Sequence, residues 1–352
     1  MSTSDGSSDN GPVSDDTAPL ALTIGEPAGI GPEISLKAWA RRHEEALPPF
    51  FAIGDASCYR EMARLVGADI PVERIASPAD AAPIFKDAFP VLDLPFAEPV
   101  KAGQLAPANA IAVIEAIDLA CDLALKGDVS GIVTNPIHKR ALYEAGFKLP
   151  GHTEYLAERV GGSPVMMLSC PGLRVALVTI HMPLKAVAEH LSTSAIVETG
   201  KILAEALRTD FGIAAPRLAV AALNPHGGEE GHLGREEIEI IAPAIPLIRE
   251  TGIEVAGPLP ADTLFHERAR EAYDAVLCMY HDQALIPLKT IDFDRGVNTT
   301  LGLSIVRTSP DHGTALDIAG KGLAHPESLI EAIRQAGEIA WNRKQAASGA
   351  AA

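Results

Sequence analysis

Three histidines stand at or just beyond apolar runs: His181 in VALVTIHMPL, His226 in LAVAALNPHGGE and His281 in AVLCMYHDQALIPLK. Neutral imidazoles are good ligands for zinc, cobalt or a similar divalent ion, and three protein ligands leave one coordination position open for substrate. Such an ion can acidify a substrate hydroxyl and ready it for oxidation, or activate a water for hydrolysis. Spacing alone does not choose between one shared ion and three separate hydrogen-bonded histidines, because only a fold brings residues so far apart together. Each of the three follows a run that reads as a strand, and strand carboxyl ends are where sites gather in open α/β sheets.

A second stretch, LALTIGEPAGIGPEI from Leu20 to Ile34, sets an apolar run, a glycine loop and a helix start in the order of a dinucleotide-binding turn. That fingerprint requires G-x-G-x-x-G. Here Gly29, Ile30 and Gly31 are followed by Pro32, Glu33 and Ile34, so the third glycine is missing, and Asp55 is a poor match for the acidic residue that should follow. No Gly-Lys-Ser/Thr follows either, which excludes a P-loop. Pro32 suits the first position of a helix. An elbow whose glycines only relieve crowding accounts for the stretch equally well.

Positioning these residues calls for an α/β frame. Strands are predicted at Leu20–Ile24, Phe50–Ile53, Val91–Leu94, Gly131–Thr134, Val165–Ser169, Val175–Ile180, Leu218–Leu223, Ala275–Met279 and Ser304–Arg307. Helices are predicted at Pro32–Ala40, Tyr59–Val66, Asn109–Leu125, Thr153–Val160, Ala195–Leu207 and Pro326–Trp341. Alternation of this kind predicts an α/β protein with a mostly parallel sheet and helices on both faces. Residues 1–18, acidic and without an apolar segment, read as a disordered tail, and 346–352 as a frayed one.

The totals narrow the function classes. The chain has 352 residues, 47% of them hydrophobic, which is ample for one large unit or two lobes. Lys and Arg number 29 against 46 Asp and Glu, a net charge of −17 with no basic cluster, so nucleic acid is excluded as a partner. Four scattered cysteines without a CxxC pair argue for reduced thiols in the cytoplasm. No apolar run approaches the roughly 20 residues needed to span a bilayer, so no membrane association is expected.

GIGPE near the start and HGTALDIAGKG near the end together resemble the isocitrate and isopropylmalate dehydrogenase superfamily. The resemblance implies a two-lobed fold with the active site in the interlobe cleft, the lobes being about 19–137 with 285–345, and about 138–284. It also implies NAD or NADP bound without a Rossmann loop. The adenosine half would lie against His312, Gly313, Thr314 and Asp317, with the nicotinamide near Gly29 and Gly31.

A longer series of words is more specific: GEPAGIGPEI, TNPIHKRAL, GHTEYLAE, LNPHGGEEGHLGREE, GPLPADTLF, MYHDQALIPLK and GVNTTLGLSIVRTSPDHGTA. In this order, from about Leu20 to about Ile339, they resemble the 4-hydroxythreonine-4-phosphate dehydrogenase family of vitamin B6 biosynthesis. The chain departs in its longer acidic tail, and in having Ile180 and Met182 beside His181. The resemblance implies His181, His226 and His281 as ligands of one zinc, cobalt or magnesium ion. It implies His152, Thr153, Lys289, Asn298 and Arg307 as contacts to a small phosphorylated substrate, and a homodimer whose second subunit completes the cleft. The reaction implied is oxidation of 4-phosphohydroxy-L-threonine at C3, followed by decarboxylation to 3-amino-2-oxopropyl phosphate.

The residue types suit those roles. Thr153 lies at a helix start, which favours an anion, and Lys289 and Arg307 add charge-assisted hydrogen bonds. Lys289 is the candidate for taking the hydroxyl proton, with Asp262 and Asp282 orienting imidazoles. A plain helix cap for Thr153, surface ion pairs for Lys289 and Arg307, and a turn role for Asn298 stay open. His138, in NPIHK, is the one other histidine close to a motif. The alternatives in function are a same-fold dehydrogenase for a phosphorylated threonate or erythronate or a cis-dihydrodiol, and a three-histidine hydrolase.

Overall fold

Parallel strands buried on both faces read as short, nearly continuous apolar runs, and the runs found in the sequence form the interior of a single sheet. The computed structural model describes residues 17–144 and 152–349; most of the tail expected at 1–18, and 350–352 of the tail expected at 346–352, lie outside the described residues. The strands are β1 (Leu20–Thr23), β2 (Phe50–Gly54), β3 (Val72–Ile75), β4 (Phe89–Asp93), β5 (Gly131–Thr134), β6 (Gly162–Cys170), β7 (Leu173–Leu177), β8 (Arg217–Ala221), β9 (Glu254–Leu259), β10 (Ala275–Cys278), β11 (Val297–Leu303) and β12 (Arg307–Pro310). Their order across the twelve-stranded sheet is β3-β4-β2-β1-β5-β12-β11-β6-β7-β10-β8-β9. The pairs β12–β11, β11–β6 and β6–β7 at the centre are antiparallel, and all others are parallel. The α/β class and the mostly parallel sheet are as expected.

Alternation along the strands builds a core on each face. In the first half, Leu20 and Leu22 face the helices Gly31–Ala40, Ala56–Leu65 and Glu327–Gly349. Ala21 and Ile132 face the helices Ala110–Lys126 and His152–Val160. In the second half, Met167 and Val220 meet the helices Thr193–Thr209 and Ala242–Arg249, while Met166, Leu168 and Val276 meet the helix His281–Ile291 through Ala284 and Leu288. All four cysteines are buried and unpaired. No helix among the described residues is long and apolar enough to cross a membrane.

Several expected elements are corrected. The strand predicted at Ser304–Arg307 is instead the link of the hairpin β11–β12; only Arg307 of it is in a strand. Its apolar residues Ile305 and Val306 are buried in the cores as part of that link, which is why the run imitates a strand. β3 and β9 were not anticipated because they are the two sheet edges, where strands are short and polar or carry Gly and Pro. The helix His281–Ile291 contains Pro287 and was also missed. The last helix runs to Gly349 rather than Trp341, so positions 346–349 are helical.

One buried carboxylate ties the two ends of the chain together. Glu33, fully buried in the helix Gly31–Ala40, accepts hydrogen bonds from Lys37 Nζ (2.8 Å) and from the backbone N–H groups of Gly320 (3.1 Å) and Ala324 (3.0 Å). Lys37 Nζ donates onward to the carbonyls of Gly322 (2.9 Å) and Ala324 (2.6 Å). Glu33→Ala strands the buried Ala324 amide and the half-buried Gly320 amide and should lower stability by about 2–4 kcal/mol in urea unfolding; a change under about 0.5 kcal/mol, as for an ordinary surface site, would remove the latch.

Candidate active site

The register of the second half of the sheet delivers two of the histidines. Leu177 of β7 pairs with Cys278 of β10, and the segments continue side by side: Val178 N–H donates to the Cys278 carbonyl (2.9 Å) and Thr179 N–H to that of Met279 (3.2 Å). His181 and His281 therefore leave the sheet together, and their ring centres lie 5.8 Å apart. His281 Nδ1 is 2.7 Å from Asp282 Oδ1, which leaves Nε2 as the nitrogen available to a ligand. Two imidazoles on a tetrahedral ion, with metal–nitrogen bonds of about 2.0–2.1 Å, place their ring centres roughly 5 Å apart. The pair thus fits a shared ion after a small side-chain movement.

His226 does not join His181 and His281 in a three-ligand group: no group of three metal-competent side chains forms among the described residues. His226 is exposed in a turn where His226, Gly227, Gly228, Glu229 and Glu230 all have positive φ, between 43° and 81°. A left-handed turn costs a non-glycine residue about 1–2 kcal/mol, so something must hold it. Glu237, which the sequence reading did not single out, accepts hydrogen bonds from the N–H groups of Leu223 (2.8 Å) and Asn224 (2.7 Å) and from Asn224 Nδ2 (3.0 Å). Burial opposes its ionisation, but those bonds outweigh it and keep the carboxyl below the usual range. Gln283 is a second unanticipated tie: it accepts from Met279 N–H (2.7 Å) and donates to the Ala222 carbonyl (2.5 Å), joining the turn before His281 to the strand before His226.

A polar strip interrupts the core where the antiparallel strands meet. Register places Thr23 of β1, Thr134 of β5, Arg307 of β12, and Thr300 and Asn298 of β11 on one face of the sheet. This face also carries the helices His152–Val160 and His281–Ile291. Arg307 is only 3% exposed. Its Nη1 donates to Thr300 Oγ1 (3.0 Å) and its Nη2 to Thr134 Oγ1 (2.7 Å), while Nε has no partner. Burial, with no counter-ion among the described residues, pushes its pKa down to about 10, so it is still charged at neutral pH. Asn298 Oδ1 and Thr23 Oγ1 are likewise buried and unpartnered. Thr153, also buried, sits in the first turn of its helix; the side chain of His152 lies outside the described residues.

Lys289 projects from the helix His281–Ile291 to Asp311, just beyond β12, at 3.2 Å. Burial raises the Asp311 carboxyl, and Lys289, His312 and His281 oppose that rise. Asp311 thus lies among Lys289, His281 and His312, a position that its place in SPDHGTA does not disclose. His312 Nδ1 lies 3.1 Å from the Gly313 carbonyl, Nε2 is buried without a partner, and burial lowers its pKa, so the ring is neutral. Gly313 and Asp317 are exposed on the same loop.

The glycine elbow docks directly on that loop. Ile30 N–H donates to the Thr314 carbonyl (3.0 Å). A Cβ at Gly29 would fall 2.7 Å from that same oxygen, and one at Gly31 would fall 2.7 Å from the Ile24 carbonyl. Close packing is reason enough for both glycines, and the amide at the head of the helix is already engaged. The two words that suggested the superfamily are therefore in contact with each other. The buried, unpartnered His312 Nε2 and the exposed Gly313 and Asp317 are groups a dinucleotide can engage. His138 Nδ1 serves as a local acceptor for Ala141 N–H (3.4 Å).

Residues 46–336 match the family described as pyridoxal phosphate biosynthetic protein PdxA. The chain is 54% identical over 332 residues to a 4-hydroxythreonine-4-phosphate dehydrogenase from Caulobacter vibrioides, covering 92% of this chain and 98% of that protein. A crystal structure of 4-hydroxythreonine-4-phosphate dehydrogenase from Klebsiella pneumoniae superposes with a TM-score of 0.84 at 38% identity, covering 92% of this chain and 98% of that one. A terephthalate 1,2-cis-dihydrodiol dehydrogenase from Burkholderia xenovorans is more distant, at 29% identity and a TM-score of 0.63, with coverages of 92% and 98%.

Proposed function

The chain belongs to the PdxA family of pyridoxal phosphate biosynthetic proteins, and from that premise we propose that it oxidises 4-phosphohydroxy-L-threonine at C3 with NAD or NADP. The product, 2-amino-3-oxo-4-phosphooxybutanoate, is a β-keto acid that decarboxylates to 3-amino-2-oxopropyl phosphate. The chain is an oxidoreductase of vitamin B6 biosynthesis. The observation that carries the substrate assignment is Arg307, a buried cation with no carboxylate partner among the described residues, on the face that also carries the helix His152–Val160.

A divalent ion on the imidazoles supplies Lewis acidity toward the substrate hydroxyl and the ketone it becomes, and NAD(P) supplies the hydride acceptor. Nitrogen donors suit zinc or cobalt better than magnesium. Asp282 orients His281 through its Nδ1. Arg307 and the Thr153 helix start hold the phosphate, and Asn298 adds an acceptor. Lys289 receives the hydroxyl proton, with Asp311 fixing its position. The loop from His312 to Asp317 binds the dinucleotide beside the Gly29–Gly31 elbow.

We assign the missing third of the ligand set to a second copy of the chain, acting in a homodimer in the cytoplasm. Large apolar side chains are exposed in the segments that follow the three histidines: Leu184, Leu233, Ile238, Ile286 and Phe293. Such an exposed fringe favours an interface.

Purified protein given 4-phosphohydroxy-L-threonine and NAD or NADP is expected to form reduced cofactor and carbon dioxide in equal amounts. Preferred turnover of 4-phosphoerythronate or a cis-dihydrodiol would move the site to that alcohol. Phosphoester hydrolysis without a dinucleotide would replace the dehydrogenase by a hydrolase.

A further inference from the structure

A buried arginine ordinarily lies against a carboxylate, because an uncompensated charge in the interior is costly. Arg307 is held instead by two neutral hydroxyls, one from each strand beside β12: Thr134 of β5 at 2.7 Å and Thr300 of β11 at 3.0 Å. Two of the five guanidinium donors are used in this way, and Nε is left with no partner. We propose that Thr134 and Thr300 are positioning residues that fix the Arg307 guanidinium while leaving its charge uncompensated, so that the substrate phosphate is its counter-ion.

The chemistry of the acceptors makes the case. A hydroxyl accepts an N–H bond and sets the plane of the fork without adding negative charge. A carboxylate at either position would hold the group as firmly but would compete with phosphate for it. Threonine is also stiff at χ1 and suited to a strand, so each hydroxyl is presented with little freedom. The arrangement converts the cost of burying a cation into affinity for a dianion, since phosphate restores the missing pairing through further charge-assisted hydrogen bonds.

This inference rests on the phosphate reading of the site, and the test separates the two. Thr134→Val and Thr300→Val keep shape and β-propensity while removing the acceptor. Each is expected to raise both the KM for 4-phosphohydroxy-L-threonine and the Kd for inorganic phosphate, measured by calorimetry, about tenfold. The kcat and the KM for NAD should stay within twofold. Thr134→Ser and Thr300→Ser, which restore the hydroxyl, should return both constants to within twofold of the parent. An unchanged substrate KM in the valine variants overturns the proposal, as does a parallel rise in the KM for NAD, the mark of general loosening. If a valine variant does not fold, the corresponding Thr→Ala variant reads the same constants. Arg307→Ala is the control: no change in its substrate KM defeats the phosphate reading itself, whereas a large rise there with none in the threonine variants defeats only the cradle.

Discussion

Arg307→Met is expected to lower kcat/KM for 4-phosphohydroxy-L-threonine by about two to four orders of magnitude while leaving the KM for NAD within twofold. Two charge-assisted bonds to phosphate, each contributing about 1.5–3 kcal/mol, account for an effect of that size. The stability of the ligand-free protein should move the other way or not at all. No carboxylate among the described residues loses a partner, and the substitution removes a charge whose burial holds its pKa down to about 10. Replacing a buried charge by an apolar side chain of similar length is commonly neutral or stabilising when no partner is stranded. The melting temperature of the free variant should therefore equal or exceed that of the parent, and added phosphate should raise only the parent's. A drop of about 5 °C or more with an unchanged substrate KM would make Arg307 a structural residue and take the phosphate site with it.

The parts of the fold legible in the sequence are those where one physical signal dominates. β1, β2, β5 and β10 are buried on both faces and appear as uninterrupted apolar runs. β11 carries Asn298 and Thr300 on its site-facing side, so its pattern reads as polar. The link after it is buried and apolar, so the apparent strand slid onto the link. Pro287 concealed the helix His281–Ile291, although the proline falls where the helix still keeps Leu288 in the core. The residues proposed for metal and substrate were recognisable as words of a family, not from spacing. Thr134, Thr300, Gln283, Glu237 and Asp311 were not found because each is an ordinary residue in its own segment. Their roles come from register and approach: Thr134 and Thr300 meet Arg307 across three strands, and Glu237 turns back onto Asn224.

His226→Ala and His281→Ala, prepared separately, should each lose bound metal and lower turnover by about a thousandfold or more, since a Lewis acid contributes several kcal/mol at the developing charge. Their co-expression is the sharper experiment. His181 and His281 lie together within one chain, whereas His226 does not join them in any three-ligand group among the described residues. If His226 of one copy completes the pair of the other, a hybrid of the two variants holds one site with both substitutions and one with neither. Co-expressed variants are then expected to recover a substantial share of parental activity and about one metal ion per hybrid dimer, by elemental analysis of the purified hybrid. A set of ligands drawn from a single chain predicts the opposite, because every site of the hybrid would carry one missing imidazole. Recovery near zero, in a hybrid that light scattering shows to be dimeric, would place all three ligands on one chain. The left-handed turn at His226 would then have to swing toward the pair, breaking the hold of Glu237 on Asn224.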